Sequence, residues 1–297
     1  MSLKESGSFG MEIMAADSGY EKRGYLYDDF RMFHIRDEGE REYPFHYHDF
    51  YKLLIFLKGS VTYSIEGKSY RLKAYDMVLV SKGAIHRPKV ETREPYERIV
   101  FYISEAFLER HRTAEYNLER CFEIAEREGT NVLRFPAMTN SRLLSVIEEI
   151  EKNGQEKEQY AAKLYANVLF MEFMILVNRC CMDGTGTFNR AVNFNQKMID
   201  LIKYIGEHLT DELSIEDLAA HFYISRFHMM RQFKEETGYT IHRYITEKRV
   251  LLAKSLMAAG VSPTQACYQS GFRDYSTFLR AYKRRLAKNP SESDKEQ

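Results

Sequence analysis

The chain of 297 residues carries 43 Lys and Arg against 43 Asp and Glu, with 44% hydrophobic residues, 16 glycines and 6 prolines. That length fits two domains of roughly 100–200 residues better than one small module, and the composition excludes a disordered or fibrous chain. The longest apolar stretch, Val168 to Val177, is broken by Glu172 and falls short of the ~20 residues of a bilayer span, so no membrane partner is expected.

The opening MSLKESGSFG has no apolar run before a small-residue cleavage site, which argues against a secretory signal. Cys121, Cys180, Cys181 and Cys267 lack metal-type spacing, and a reducing cytoplasm is the expected location. Cut by segment, the charge is uneven. Residues 196–290 hold 15 basic against 10 acidic residues, residues 1–195 hold 27 against 30, and the last seven hold 1 against 3. The positive excess therefore lies in the C-terminal third.

From Phe30 to about Ser104, short runs rich in Val, Ile, Tyr and Phe (FYKLLIFL, VTYSIEG, SYRLKAYDMVLV, ERIVFYIS) alternate with Lys58-Gly59, Glu66-Gly67 and Lys82-Gly83. This predicts antiparallel strands of a sandwich or barrel. From Glu105 to Cys181 the period becomes helical, with helices over Glu105–Tyr116, Asn140–Lys152 and Glu158–Cys181. In the last of these, Leu164, Val168, Met171 and Ile175 form one apolar stripe. The Gly- and Thr-containing stretch DGTGTFNRAVN reads as a linker. The expected domains are thus 1–182, a linker over 183–195, and an all-helical domain over 196–290. The fold class is α+β with two domains, an antiparallel β-barrel with helices followed by two helix-turn-helix units.

The C-terminal domain contains a pseudo-repeat. Ser214 with Asp217 opens a short helix in a capping pattern, His221 to Ile224 form a turn, and Ser225 caps a second helix. In that second helix Met229 and Phe233 are i, i+4 core neighbours, whereas Arg226, Phe227, Met230 and Arg231 form the opposite stripe. Ser262-Pro263-Thr264-Gln265 opens a second unit, Gly271-Phe272 makes its turn, and a shift of 49 residues places Tyr275, Ser276, Leu279 and Arg280 on the matching stripe. Ile241 to Met257 reads as one strut of about 25 Å, suited to holding two recognition helices about one DNA turn apart.

These residues resemble the AraC family of transcription regulators: Leu218-Ala219, Ser225, Arg231, Phe233-Lys234, Gly238, Tyr244, Arg249, Ala253, Leu256, Gly271-Phe272, Tyr275-Ser276-Thr277-Phe278, Arg280 and Pro290. Ala287, Asn289 and Tyr282 depart from the family pattern, at positions that bear on packing. The resemblance implies that each second helix enters a major groove of double-stranded DNA. Arg226, Phe227, Met230 and Arg231, then Tyr275, Ser276, Leu279 and Arg280, would face the bases. Arginine can fork onto guanine and apolar side chains can meet thymine methyls. Lys234 and Lys283, with Arg243, Lys248, Arg284 and Arg285, would meet phosphates. The family further implies a helix that pairs two subunits, although the stripe at Leu164 could equally pack on its own barrel.

His46-Tyr47-His48 lies in a strand-like run, with His46, His48 and Lys52 on one face by alternation and His86 on a later strand. The spacing resembles the metal-binding cupin barrel, but lysine stands in place of its glutamate, so neither a metal nor another cofactor is expected. His46, His48, Lys52 and His86 are instead the expected contacts of a sugar-like or acidic small-molecule effector, with Tyr47, Phe50, Tyr63 and Tyr75 available as walls. Histidines satisfied within a filled barrel remain the alternative. The expectation is a cytoplasmic, homodimeric, effector-controlled DNA-binding regulator that is not an enzyme and that activates transcription through RNA polymerase. A cupin metalloenzyme with an accessory helical domain and a ligand-free architectural DNA binder are the competing classes.

Overall fold

The computed structural model describes residues 26, 28–39, 43–91, 94–136, 138, 141–156, 158–286 and 289–290. MSLKESGSFG, Asn140, Ala287 and the seven residues after Pro290 lie outside the described residues. The chain divides into two compact units with the boundary at Asn193 and Phe194, except that Glu66–Lys68 group with the second.

The first unit runs β1 (Phe30–Asp37), β2 (Tyr51–Lys58), β3 (Val61–Ile65), β4 (Lys68–Arg71), β5 (Asp76–Val80), β6 (His86–Val90), β7 (Tyr96–Ile103), α1 (Glu105–Arg110), α2 (Arg120–Arg127), β8 (Val132–Arg134), α3 (Arg142–Gln155), α4 (Ala162–Met182) and β9 (Thr187–Asn189). One antiparallel sheet has the order β1-β7-β2-β5-β8-β9, and a second contains β4-β3-β6 in that order. The expected barrel is therefore present as two sheets and is not closed.

Strand β2 shows why its sequence is apolar at successive positions. Leu53 and Ile55 join a core shared with Phe107, Phe122 and the inner faces of α3 and α4, whereas Leu54 and Phe56 join a second core with Val61, Tyr63, Ile65, Tyr70 and Tyr102. Strands β5 and β7 alternate likewise, with Met77, Leu79, Ile99, Phe101 and Ile103 on the helix side and Val78, Val80, Val100 and Tyr102 between the sheets. Both faces of the large sheet are covered, so its central strands lose the polar alternation of a half-exposed strand. Strand β3 keeps that alternation, because buried Val61, Tyr63 and Ile65 are separated by partly exposed Thr62 and Ser64.

Three sequence expectations change here. The run SYRLKAYDMVLV is two strands, separated by a turn in which Tyr75 adopts φ 67 and the Lys73 amide donates to the Asp76 carboxylate. Tyr75 consequently packs on the helix-side core and forms no wall between the sheets. Strand β8 interrupts the stretch assigned to helices, being too short to show a period of its own. Arg134 ties it to β5 with two 2.7 Å hydrogen bonds to the fully buried Asp76. Finally, part of the expected linker is structured: Thr187–Asn189 pairs with β8.

Helix α4 is the long apolar element, 21 residues with a mean hydropathy of 1.3 over its most apolar window. By length and composition alone it could cross a membrane, because helix length and not the longest unbroken apolar run sets that limit. Its face Ala166, Leu169, Phe170, Phe173, Met174 and Val177 is buried in the core of the unit. Phe170 stacks on Phe30 at 3.9 Å between ring centroids, and Phe173 on Phe101 at 4.6 Å. Such burial contributes about 1.5–3 kcal/mol per side chain. Glu172, which breaks the apolar run, pairs at the surface with Arg142 of α3.

The second unit is α5 (Gln196–Glu207), α6 (Ile215–His221), α7 (Arg226–Thr237), α8 (Ile241–Ala258), α9 (Pro263–Gln269) and α10 (Tyr275–Leu286). Apolar spacing on α5 buries Met198, Leu201, Ile202 and Ile205.

His34 on β1 lies between two carboxylates, Nδ1 2.7 Å from Glu151 of α3 and Nε2 3.0 Å from Glu97 of β7. The hydrogen bond to Glu151 raises its pKa above 6.5, burial opposes this, and Glu97 adds to the rise. A raised folded-state pKa gives stability that is fully present below 6.5 and lost as pH climbs through the folded value. Replacing His34 with Gln should lower the melting temperature in mildly acidic buffer and leave it nearly unchanged in alkaline buffer; a deficit that is the same at both pH values would contradict this linkage.

Candidate nucleic-acid interface and effector site

In the second unit, each helix-turn-helix is set by its caps. The Ser214 hydroxyl accepts from the Asp217 amide at 3.0 Å and donates to that residue's carboxylate at 2.6 Å. Ser225 accepts from His228 at 3.4 Å. Ser262 accepts from Gln265, with Pro263 at the first helical position. The Asp274 carboxylate accepts from the Thr277 amide at 2.7 Å, and that bond holds its pKa below the usual value. Each cap satisfies an amide that the helix itself leaves unpaired.

The repeat is not a uniform shift of 49. The first helices, α6 and α9, are offset by 48 residues, whereas α7 and α10 are offset by 49. The second turn is one residue longer. In both units the residue following the C-cap takes a positive φ, Tyr223 at 51° and Gly271 at 87°. Glycine is required at the latter, since a Cβ there would lie 2.8 Å from both the Leu209 carbonyl oxygen and the Thr210 Cα. Arg249 of α8 donates to the carbonyls of Leu209 and Asp211, at 2.8 and 2.7 Å, and so fixes the same corner.

On α7 the two faces separate as the periodicity predicts. Met229 and Phe233 are fully buried, whereas Phe227 is 69% exposed and Met230 37%. Arg226, Arg231 and Lys234 are also exposed. Arg226 sits 3.4 Å from Glu216 and over the Phe227 ring, and Arg231 lies 3.3 Å from His228. An exposed phenylalanine and methionine among arginines is a surface that can meet base edges and methyl groups.

The second stripe is narrower. Ser276, Arg280, Lys283 and Arg284 are exposed, but Tyr275 and Leu279 are half-buried, with the Tyr275 ring 5.6 Å from that of Phe278. Arg285 turns inward and lies 3.6 Å from the buried Glu247 of α8, so it does not project as expected for a phosphate contact. Tyr223, which the sequence reading passed over, is 90% exposed in the turn leading into α7. Its only sequence signal is an aromatic residue in a turn.

In the first unit, the histidines converge through backbone pairing. His46 and His86 form an antiparallel bridge, with amide-to-carbonyl distances of 3.1 and 2.8 Å. Directly opposed residues project to the same side, and so does the residue two positions on. The ring centroids of His46, His48 and His86 are accordingly 4.3–5.2 Å apart. Lys52, on the face of β2 that carries Leu54 and Phe56, brings Nζ to 3.4 Å from Nε2 of His86. All four expected contacts therefore meet in one place, with His48, Lys52 and His86 buried and His46 partly exposed.

Burial drives the Lys52 ammonium down to about 7, with added repulsion from Arg98. Burial also holds His86 well below its ordinary value, and Lys52, His46 and His48 push in the same direction. Of the candidate wall residues, Phe50 and Tyr63 belong to the core between the sheets, and His48 stacks on Phe50 at 4.6 Å. Tyr47 is buried but joins neither core cluster.

A second polar knot on the same face went unread in the sequence. Buried Arg98 of β7 donates to Asp37 at 2.7 Å and lies 4.0 Å over the Tyr96 ring, while the Tyr43 hydroxyl donates to Asp37. Its signal was a charge inside the apolar run ERIVFY at a position facing the inter-sheet core.

Two family models match successive parts of the chain, and individual relatives match across both units. The family described as an AraC-like ligand binding domain matches residues 32–173, and the family described as a helix-turn-helix domain matches residues 218–296. The HTH-type transcriptional activator RhaS of Klebsiella pneumoniae is 22% identical over 84% of this chain and 86% of its own length. RhaS of Salmonella schwarzengrund is 25% identical with the same coverages. A solved structure of ToxT from Vibrio cholerae aligns over 89% of this chain and 97% of that chain, at 18% identity and a TM-score of 0.37.

Replacing Gly271 with Ala should cost about 1–3 kcal/mol from the positive φ alone, with further loss from the contacts at Leu209 and Thr210. Thermal unfolding should show this as a lower transition of the helical unit, whereas an unchanged melting curve would mean that the corner relaxes freely.

Proposed function

The chain belongs to the AraC family of transcription regulators, DNA-binding proteins that are not enzymes, and on that premise we propose that it activates transcription in response to a small molecule held between the sheets of its first unit. The surface of α7 carries this reading: Phe227 and Met230 stand exposed between Arg226 and Arg231 while Met229 and Phe233 are buried. A helix built only for its own domain would gain by placing those apolar groups inside.

Arg226, Phe227, Met230 and Arg231 read bases in one major groove. Tyr275, Ser276, Leu279 and Arg280 do so in the next, with Ser276 and Arg280 supplying the exposed part of the second stripe. Lys234 and Lys283 contact phosphate. Strut α8, 18 residues or about 27 Å long, spaces the two helices. Residues 1–182 form the sensing and pairing domain, 183–195 the connection and 196–290 the reader. The relatives RhaS are named as activators, and the same direction of control, through contact with RNA polymerase in the cytoplasm, is part of the proposal.

His46, His48, Lys52 and His86 hold the effector, a sugar-like or acidic molecule. It controls transcription only if its affinity differs between two arrangements of the protein. Homodimer formation uses α4, where Leu164, Val168 and Ile175 are 64%, 47% and 42% exposed on the face opposite the core. Met171 of the same stripe packs partly against the core, and the three exposed positions support the pairing reading.

Replacing Arg231 or Arg280 with Ala should relax discrimination at one base pair each, by about 1–3 kcal/mol. Lys283→Ala should weaken all sequences alike and reduce the salt dependence. Gel-shift titrations against a variant-site panel separate the two, and uniform losses for all three changes would refute base reading by these arginines. Leu164→Glu with Val168→Glu should convert a dimer to a monomer in sedimentation; an unchanged mass would reject α4 as the pairing surface.

A further inference from the structure

Both helix-turn-helix corners close their first helix in the same way. Past the C-cap Phe222, the amides of Tyr223 and Ile224 donate to the carbonyls of Ala220 and Ala219 at 3.2 and 3.0 Å. Past the C-cap Ser270, those of Gly271 and Phe272 donate to Tyr268 and Cys267 at 3.0 and 3.2 Å. This pair of hydrogen bonds needs a left-handed residue directly after the cap, a position that glycine fills at least steric cost. The second corner has glycine there. The first has Tyr223, at φ 51, where a Cβ crowds its own backbone. A strained residue persists when something it does offsets the strain, and nothing inside the unit does so. Tyr223 is 90% exposed, and among the described residues its hydroxyl has no hydrogen-bond partner and its ring no aromatic neighbour. The residues just before it behave differently, since His221 and Phe222 pack on Tyr204 of α5 with ring centroids 4.4 and 5.7 Å away. An exposed tyrosine alone would mean little. One held at a glycine position, while its duplicate is glycine, points to a partner outside the unit.

The turn lies two residues before Ser225, the cap of α7. In a helix-turn-helix the first helix crosses the DNA backbone while the start of the second reaches the bases, so the residues that join them pass the phosphates at the edge of the groove. We propose that Tyr223 is a further DNA-contacting residue, whose hydroxyl donates to a phosphate oxygen flanking the groove entered by α7. The proposal deepens the DNA-reading assignment of α7 and rests on it. Tyrosine is among the donors that bind phosphate, and such contacts fix the register of a reading helix without carrying base preference. Gly271 has no donor to offer at the matching place, so the contact belongs to the first unit alone. It anchors α7 at its leading end, where Arg226 and Phe227 begin the exposed stripe.

The test uses the full chain, a duplex enriched by the wild-type chain from a random-sequence pool, and a panel of single-base variants of that duplex. Tyr223→Phe, which removes only the hydroxyl, should weaken binding to every member by roughly tenfold. The slope of log affinity against log salt should stay unchanged, because a neutral donor releases no counterions. Ethylation of one phosphate at the edge of the α7 half-site should impede the wild-type chain and cease to matter for Tyr223→Phe. Tyr223→Gly should lose at least as much affinity and yet raise the melting temperature of the helical unit by a few degrees. A merely structural role for the tyrosine would not give those opposite signs. Unchanged affinity in Tyr223→Phe, a loss that varies with base identity, or a fall in melting temperature on Tyr223→Gly overturns the proposal. Arg231→Ala on the same panel separates it from the reading beneath it. If Arg231→Ala relaxes base discrimination and Tyr223→Phe changes nothing, the contact at Tyr223 fails and base reading by α7 stands. If the wild-type chain enriches no sequence from the pool, both fail.

Discussion

The burial of both faces of the large sheet is the constraint from which the rest of the first unit follows. Because α4 and its neighbours cover one face and the small sheet covers the other, the buried apolar residues of β2, β5 and β7 fall into one core or the other by parity. Parity then decides where charged residues go. Lys52 and Arg98 fall on the inter-sheet face and become buried at 4% and 7% exposure. A charge so placed needs partners or must shed its proton. Arg98 finds Asp37, whereas Lys52 meets a histidine lone pair and is driven down to about 7. The two polar knots are thus consequences of one packing rule, resolved in different chemical ways.

Buried polar groups of this kind are costly, and hydrophobic residues of equal volume would stabilise such a core at least as well. Their presence along one interior face separates the inter-sheet core from the core under the helices, which holds no buried charge among the described residues and where Phe30, Phe101, Phe170 and Phe173 stack. The polar core is the sensor in the proposed function and the apolar one is its support. Helix α4 links support and assembly, since its inner face completes the apolar core and its outer stripe is the proposed pairing surface.

The reader unit follows a different logic. Its helices are short, and caps at Ser214, Ser225, Ser262 and Asp274 define where each begins. The two turns differ by one residue yet both place a positive φ after the first helix. The longer one passes so close to Leu209 and Thr210 that only glycine fits, and Arg249 secures the same backbone from α8. Rigid corners of this type hold a recognition helix without using its outer face, and the outer face of α7 is left free to carry Phe227, Met230 and two arginines.

The sequence alone determined the features encoded within a few residues of themselves. Capping pairs are three residues apart, helical stripes repeat every three or four, and strands are bounded by their own glycine turns, so the helix-turn-helix pair, the order of strands then helices, and the buried or exposed sides of α7 were all legible. The pattern HYH also announced a cluster with Lys52 and His86. Only tertiary structure decided what depends on partners far along the chain. Strand β8 has no period of its own and is recognisable through β5 and β9, and Asp37 and Arg98 are 61 positions apart. Local propensity acts over one or two turns, whereas burial is a property of the packed whole, and it is burial that set the protonation and pairing of the residues proposed to do the sensing.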